Sequence, residues 1–218
     1  MKLTKGADVF NAKDEKLGTL GRVIIDPQTK AVTHIVVEKG WLFSTNKVIS
    51  ISQLESKSDG RLIITGPEAD PESFPAFEEA HYVNLDENDH PDSDIGGAYW
   101  YPPANLAWWR MGATNLGYYP PMPSYVMRTT QNIPEGTVAL EEGAKVLGRD
   151  DKYVGDIEQV IVEPQDNRAT HFVVHGGLFS DRKLIPVLWI SNIDEKEVSL
   201  SVGSGLVEKL PEYKLETR

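Results

Sequence analysis

Residues 17–28 read LGTLGRVIIDPQ and residues 33–37 read THIVV, and residues 154–165 and 170–174 repeat them as VGDIEQVIVEPQ and THFVV. Each copy has the form of a strand, a tight turn at an acidic residue followed by Pro-Gln, and a second strand. Pro fixes its own dihedral angle and has no N–H for a strand ladder, so it favours a turn at this point. The stretch therefore predicts the same strand–turn–strand element at two places in one chain.

The repetition extends well beyond this stretch. A shift of 137 residues aligns positions 6–40 with positions 143–177 without a gap, and 14 of these 35 columns are identical. After Gly40 the shift becomes 136, and it then pairs Lys47 with Lys183. A match of this length indicates an internal duplication, which is a stronger guide to architecture than any single motif.

The two copies predict two domains, at residues 1–77 and 143–218, joined by a connector at residues 78–142. The strands expected in the first copy are Asp8–Asn11, Leu17–Asp26, Val32–Glu38, Lys47–Ile51 and Arg61–Thr65. Those expected in the second are Lys145–Arg149, Val154–Glu163, Ala169–His175, Lys183–Leu188 and Glu197–Val202. Short strands with little helix predict an all-β fold: two tandem small antiparallel β-barrels from an internal duplication, with a long irregular connector.

Burial is predicted for four apolar residues of each copy. The strand at residues 32–38 carries apolar side chains on both faces, which is typical of a strand covered on both sides. We expect Val23, Ile25, Val36 and Val37 to be buried, together with their counterparts Val160, Val162, Val173 and Val174. A bend or bulge is expected at Gly18 and Gly21.

Composition restricts the classes of function. The net charge is -11 and there is no cysteine, which excludes disulfides, thiol catalysis and Cys-based zinc sites. An acidic chain repels phosphate backbones, so we expect no nucleic-acid partner. The first residues have no apolar signal segment, and no run of 18 apolar residues could form a membrane-spanning helix. We therefore expect a soluble, cytoplasmic protein.

The duplicated pattern resembles the PRC-barrel family. The resemblance rests on an acidic start followed by Gly at 14–18 and 151–155, on Asp26-Pro27 and Glu163-Pro164, and on Ile185-Pro186, which the first copy replaces with Ile49-Ser50. The family takes its name from the cytoplasmic barrel of the photosynthetic reaction centre H subunit, and it also includes the barrel of the ribosome maturation factor RimM. The resemblance covers both copies of the repeat but not residues 78–142.

The resemblance implies a compact barrel used for docking proteins, without a shared catalytic site. We therefore expect a non-enzymatic scaffold or adaptor that binds a partner protein or forms a homodimer, with no cofactor. One alternative is an accessory subunit at the cytoplasmic face of a photosynthetic or other membrane complex. A second is a small-ligand or metal-binding protein that uses the connector.

Two groups of residues have side chains suited to metal binding. His34 and His171 recur at equivalent places within strands, and recurrence in a repeat favours hydrogen-bonded structural residues over ligands. The stretch from His81 to Asp94 is rich in carboxylates, but it lacks the Gly and final Glu of a calcium loop. We interpret it as a solvated acidic segment and predict no metal site.

The most unusual segment is the aromatic part of the connector, residues 96–127, which is rich in Trp, Tyr and Pro and nearly free of charge. Exposed aromatic rings are costly in water, whereas buried rings dominate protein interfaces. This segment is predicted to be ordered and mostly buried, against its own barrels or against a partner. The proposed interaction residues are Trp100, Trp108, Trp109, Tyr118 and Tyr119. No phosphate-binding Gly loop or nucleophile turn indicates catalysis.

Overall fold

A computed structural model describes residues 1–39, 45–57, 60–65, 73–84, 125–177 and 179–214 of the chain. The chain divides into one compact unit made of Met1–Phe77 with Asn132–Arg218, and a second unit made of Glu78–Gln131. Both copies of the duplication lie in the first unit. The predicted connector is thus divided between the two units.

The first copy forms a curled sheet, called barrel 1. Its strands, together with the preceding β1, are β1 (Lys2–Thr4), β2 (Asp8–Phe10), β3 (Lys16–Ile25), β4 (Val32–Lys39), β5 (Lys47–Ser50), β6 (Leu54–Ser56) and β7 (Leu62–Ile64). A 3₁₀ turn at Ile51–Gln53 joins β5 to β6. The sheet order is β5-β4-β3-β2-β7-β6, and its neighbours are antiparallel except for the parallel pair β2–β7.

The second unit contains a hairpin of β8 (Glu78–Asn84) and β9 (Tyr125–Gln131), paired antiparallel from Glu78 opposite Gln131 to Asn84 opposite Tyr125. The sequence predicted no strand in this range. The alternation of polar and apolar residues here is weak, and the two strands are far apart in sequence.

The second copy forms barrel 2. Its strands, together with the preceding β10, are β10 (Val138–Glu141), β11 (Lys145–Leu147), β12 (Tyr153–Val162), β13 (Ala169–Gly176), β14 (Phe179–Pro186), β15 (Ile190–Ile193) and β16 (Glu197–Leu200). A 3₁₀ turn at Val187–Trp189 precedes β15, and helix α1 (Ser204–Glu208) follows β16. The order β14-β13-β12-β11-β16-β15 repeats that of barrel 1, including the parallel pair β11–β16. The all-β duplicated fold is confirmed.

Each barrel receives a strand from the other copy. Strand β1 pairs antiparallel with β12 of barrel 2, with Leu3 opposite Val160. Strand β10 pairs antiparallel with β3 of barrel 1, with Leu140 opposite Val23. Under the shift of 137 these two pairings are the same pairing, so the barrels exchange their first strands reciprocally.

A glycine turn lets each exchanged strand cross from one barrel to the other. Gly6, with φ of 65°, separates β1 from β2, and Gly143, with φ of 72°, separates β10 from β11. The left-handed region costs glycine little, since it has no Cβ. The chain thus leaves a strand in one barrel and enters the next strand in the other barrel within a few residues.

The core is shared between the barrels. One cluster of buried apolar side chains contains residues of both copies, including Leu3, Val23, Leu140 and Val160. A smaller cluster lies on the other side of β4, where Val36 packs with Phe77. The eight residues predicted to be buried are all buried, and the prediction that β4 is covered on both faces is confirmed.

Glycine and lysine positions explain two features of the repeat. A Cβ on Gly18 would lie 2.2 Å from the carbonyl oxygen of Glu38 in the neighbouring strand, so a side chain does not fit there. The expected bulge occurs between Leu20 and Arg22. Lys47 is buried in barrel 1, and its Nζ donates to the Phe74 carbonyl at 3.0 Å.

Lys183 makes the corresponding contact in barrel 2. It is buried, and its Nζ donates to the carbonyl of Leu210 at 2.8 Å. Leu210 is the counterpart of Phe74 in the alignment. In both barrels, a buried lysine of the sheet therefore hydrogen-bonds to the segment at the end of the same copy.

Candidate functional site

The five aromatic residues proposed for interaction, Trp100, Trp108, Trp109, Tyr118 and Tyr119, lie outside the described residues, and so does most of the stretch from His81 to Asp94. Their predicted roles stay predictions. Within the described residues, no group of three or more His, Asp or Glu side chains is arranged to hold a metal ion. No helix in the described part of the chain combines the length and apolar character of a membrane span.

The two equivalent histidines lie in β4 and β13, as predicted. Burial lowers the pKa of His34 and disfavours its charged form. Its Nδ1 is buried and has no hydrogen-bond partner among the described residues, so the expectation of a hydrogen-bonded ring is wrong for this nitrogen. The side chains that bond to the neighbouring strand are instead those of the preceding threonines: Thr170 Oγ1 donates to the Ile161 carbonyl at 3.3 Å.

A partly buried carboxylate lies at the junction of the barrels. Glu142 follows the exchanged strand β10, and its Oε1 accepts a hydrogen bond from the Gly6 N–H at 2.6 Å. The pKa of Glu142 is raised from 4.5 to about 7. Burial is the largest cause and Glu38 adds to it, whereas the Gly6 hydrogen bond and Lys5 oppose it. Glu142 also borders a cavity of about 20 Å³ between β1 and β10, which is about the size of one water molecule.

The two exchanged strands carry different side-chain pairs at equivalent places. In barrel 1, Arg22 donates to Glu141 Oε1 at 2.9 Å, and its guanidinium lies 5.4 Å from the ring centre of Phe77. In barrel 2 the counterparts are Gln159 and Thr4, and Gln159 Nε2 donates to Thr4 Oγ1 at 2.5 Å. The same strand register is thus accompanied by a charged pair in barrel 1 and by a neutral pair in barrel 2.

The clearest difference between the barrels is a group of exposed apolar side chains on barrel 2. Among the described residues, three large apolar side chains are exposed: Tyr153, Leu188 and Leu206. Leu188 has 89% of its surface exposed. Barrel 1 has Lys16 and Ser52 at the places of Tyr153 and Leu188, so the duplication does not account for an apolar residue at either place.

The 3₁₀ turn at Val187–Trp189 fixes the outward direction of Leu188. Val187 and Ile190, on either side, are buried, and Trp189 packs partly against the core. The Trp189 carbonyl accepts hydrogen bonds from the backbone N–H and the hydroxyl of Ser201, at 2.7 and 3.1 Å. Leu188 is therefore held in the solvent by a well-anchored turn.

Helix α1 presents Leu206 in a similar way. Val207 and Ser204 are buried, while Leu206 is exposed. Asp150 accepts hydrogen bonds from the Ser204 N–H and hydroxyl, at 2.9 and 2.8 Å. These bonds are the main reason that the pKa of Asp150 is lowered.

The elements that carry these side chains meet at one end of barrel 2. The Arg149 N–H donates to the Val202 carbonyl at 2.9 Å, which joins the turn before β12 to the segment before α1. Ser201 joins that segment to the turn that carries Leu188. Tyr153 begins β12 directly after the turn at 148–152. This end of barrel 2, defined by Tyr153, Leu188 and Leu206, is called the apolar end.

Comparison with known protein families matches the PRC-barrel domain to residues 4–71 and again to residues 142–204, together more than half of the chain. The chain therefore belongs to the PRC-barrel family, as the sequence pattern predicted. A search of curated proteins finds no match to this chain.

Neither the apolar end nor the strand exchange was predicted from the sequence. The aligned copies contained a signal for each. Comparing surface positions shows Leu188 opposite Ser52 and Tyr153 opposite Lys16. Extending the alignment before residue 6 places Leu3 opposite Leu140.

Proposed function

We propose that this chain is a non-enzymatic scaffold or adaptor that binds a protein partner through the apolar end of barrel 2. The observation that carries the proposal is the exposure of Leu188 on a hydrogen-bonded 3₁₀ turn, at a place where barrel 1 has serine. A single exposed leucine is common on protein surfaces, but exposed apolar side chains gathered at one end of a barrel are typical of a site of protein contact.

The family and the chemistry of the chain support the same function. The PRC-barrel resemblance implies protein docking and carries no common catalytic site. The net charge of -11 favours a partner with a basic or apolar surface over a nucleic acid. We place its action in the cytoplasm. Docking to a membrane complex remains a narrower form of the same proposal, and it would use the same surface.

Site-specific crosslinking in cells tests the proposal. A photo-crosslinking amino acid at position 188 should capture a defined protein, and the same amino acid at position 52 in barrel 1 should not. Position 52 is a matched control because it lies in the equivalent 3₁₀ turn and is also exposed. Leu206→Ser should weaken the capture from position 188, since both side chains belong to the apolar end.

The identity of the captured protein separates the two forms of docking. A crosslink to a second copy, together with a doubled mass in light scattering that Leu188→Ser reverses, would show self-association. A crosslink to a different protein would show an adaptor. Equal, diffuse crosslinking from positions 188 and 52 would overturn the proposal.

A further inference from the structure

The contact between the barrels has the form of an interface between two identical protomers. The long strand of each barrel pairs along one edge with two different strands. In barrel 2, the first half of β12 pairs with β11 of the same copy, and the second half pairs with β1 of the other copy. In barrel 1, β3 pairs in the same way with β2 and with β10. Neither sheet is complete without a strand from the other copy.

Backbone hydrogen bonds across the contact come in equivalent pairs. Lys5 N–H donates to the Glu158 carbonyl at 2.9 Å, and Glu142 N–H donates to the Gly21 carbonyl at 3.0 Å. Under the shift of 137, Lys5 corresponds to Glu142 and Gly21 to Glu158. The same donor and acceptor positions are thus used once in each direction.

A second pair of bonds lies at a point where the two copies meet at equivalent residues. Val32 N–H donates to the Asn167 carbonyl at 2.8 Å, and Ala169 N–H donates to the Lys30 carbonyl at 2.9 Å. Between them, Ala31 is paired with Arg168, its own counterpart in the repeat. A residue that contacts its own equivalent marks a local twofold axis, as in an isologous dimer.

Apolar burial at the exchanged strands supplies the energy of the contact. Leu3 and Leu140 are almost fully buried, each in the sheet of the other copy. A cavity of about 20 Å³ lies at the junction and is bordered by both leucines. Backbone pairing and buried leucines together form a complete recognition element for a strand, in the manner of β-strand addition.

We propose that each barrel is a docking site for a second barrel of the same kind, and that the two halves of this chain bind each other without their covalent connection. The partner is defined by its chemistry: a first strand with a central leucine, followed by a glycine turn with positive φ. A second copy of this chain carries two such strands. The proposal uses residues other than the apolar end and is independent of the proposed function.

The covalent connection determines which partner is used in the intact chain. Residues 78–131 connect the two barrels along the chain, and a covalent connection between two binding partners sets an effective concentration of up to about 1 mM. Pairing within the chain therefore dominates at micromolar protein. Cutting this connection removes this advantage and makes the two halves exchangeable between copies.

The test begins with the full chain carrying two protease sites, one between Phe77 and Glu78 and one between Gln131 and Asn132. Cleavage at both sites releases the β8–β9 hairpin, whose strand pairing would otherwise join the two halves. After cleavage, native mass spectrometry at micromolar concentration should show the two halves as a one-to-one complex. When cleaved unlabelled and isotope-labelled proteins are unfolded together and refolded, hybrid complexes should form in the statistical proportion. Separation of the halves after cleavage, or an absence of hybrids, would overturn the proposal.

A matched pair of substitutions tests whether the exchanged strand is responsible. Leu3→Ala should weaken the association of the cleaved halves, or speed their dissociation, by about 30-fold or more. Lys13→Ala truncates an exposed side chain in the turn between β2 and β3, away from the exchanged strands, and should leave the association unchanged. Equal behaviour of the two variants would show that the strand exchange does not hold the halves together.

Discussion

Replacing Glu142 by glutamine should make the protein more stable at neutral pH and leave its stability at acidic pH nearly unchanged. The glutamine amide has the shape of the protonated carboxyl, and its oxygen can still accept the hydrogen bond from the Gly6 N–H. What the substitution removes is the partly buried negative charge, which Glu38 repels and Lys5 attracts.

The raised pKa fixes the sign and the pH window of the effect. Folding raises the pKa of Glu142 from 4.5 to about 7, so the folded protein holds this proton more tightly than the unfolded chain does. The resulting stability is fully present below about pH 4.5 and is lost as the pH rises through about 7. At about 1.4 kcal/mol per pKa unit, the loss has an upper limit of about 3 kcal/mol. Because the side chain is only half-buried, solvent screening reduces the expected loss to about 1–2 kcal/mol.

Urea unfolding at several pH values from 4.5 to 8 measures how the free energy of unfolding changes with the charge of Glu142. The free energy of unfolding of Glu142→Gln should equal that of the wild type at the acidic end and exceed it by about 1–2 kcal/mol at pH 8. Glu135→Gln is the control, since Glu135 is exposed in the turn before β10. A difference that is independent of pH, or a variant less stable at pH 8, would refute the reasoning.

Four further substitutions have definite expected outcomes in thermal and urea unfolding. Lys47→Met should destabilise the protein by about 1–3 kcal/mol, because it leaves the Phe74 carbonyl without its buried donor, and Lys183→Met should do the same in barrel 2; no change in either variant would contradict this role. Gly18→Ala should cost about 1–3 kcal/mol, because its Cβ would collide with the neighbouring strand. Gly205→Ala, in open space within α1, should instead stabilise by about 0.5–1 kcal/mol, so equal effects of the two alanines would show that the collision is relieved.

The sequence predicted the parts of the fold that depend on local pattern. The strands around Val23 and Val160 are long and rich in β-branched residues. Because the same pattern occurs in both copies, each copy supports the strand predicted in the other. Strands β1 and β10 were missed because three or four residues show no periodicity. Their partners are also distant: Leu3 lies opposite Val160, and nothing in the residues around Leu3 specifies that pairing.

The candidate site was harder to predict for a different reason. The candidate site predicted from aromatic content was residues 96–127, and its role stays a prediction. The apolar end, in contrast, consists of single residues that are far apart in sequence. Leu188 and Ile190 are similar in type, yet one is 89% exposed and the other 7% exposed. The difference in exposure between Leu188 and Ile190 arises from the 3₁₀ turn, which directs Leu188 outward. Exposure of this kind depends on tertiary structure and is not visible in composition.

The crossing of the first strands also imposes an order on folding during synthesis. Strand β1 leaves the ribosome well before its partner, because its place opposite Gln159–Ile161 does not exist until more than 150 further residues have been made. At about 5–20 residues per second, this delay is roughly 10–30 s. Barrel 1 waits in the same way for β10. Until its second half emerges, the nascent chain therefore carries an unpaired strand, β1, and an open sheet edge along β3. During this interval chaperones or a neighbouring nascent copy have access to both.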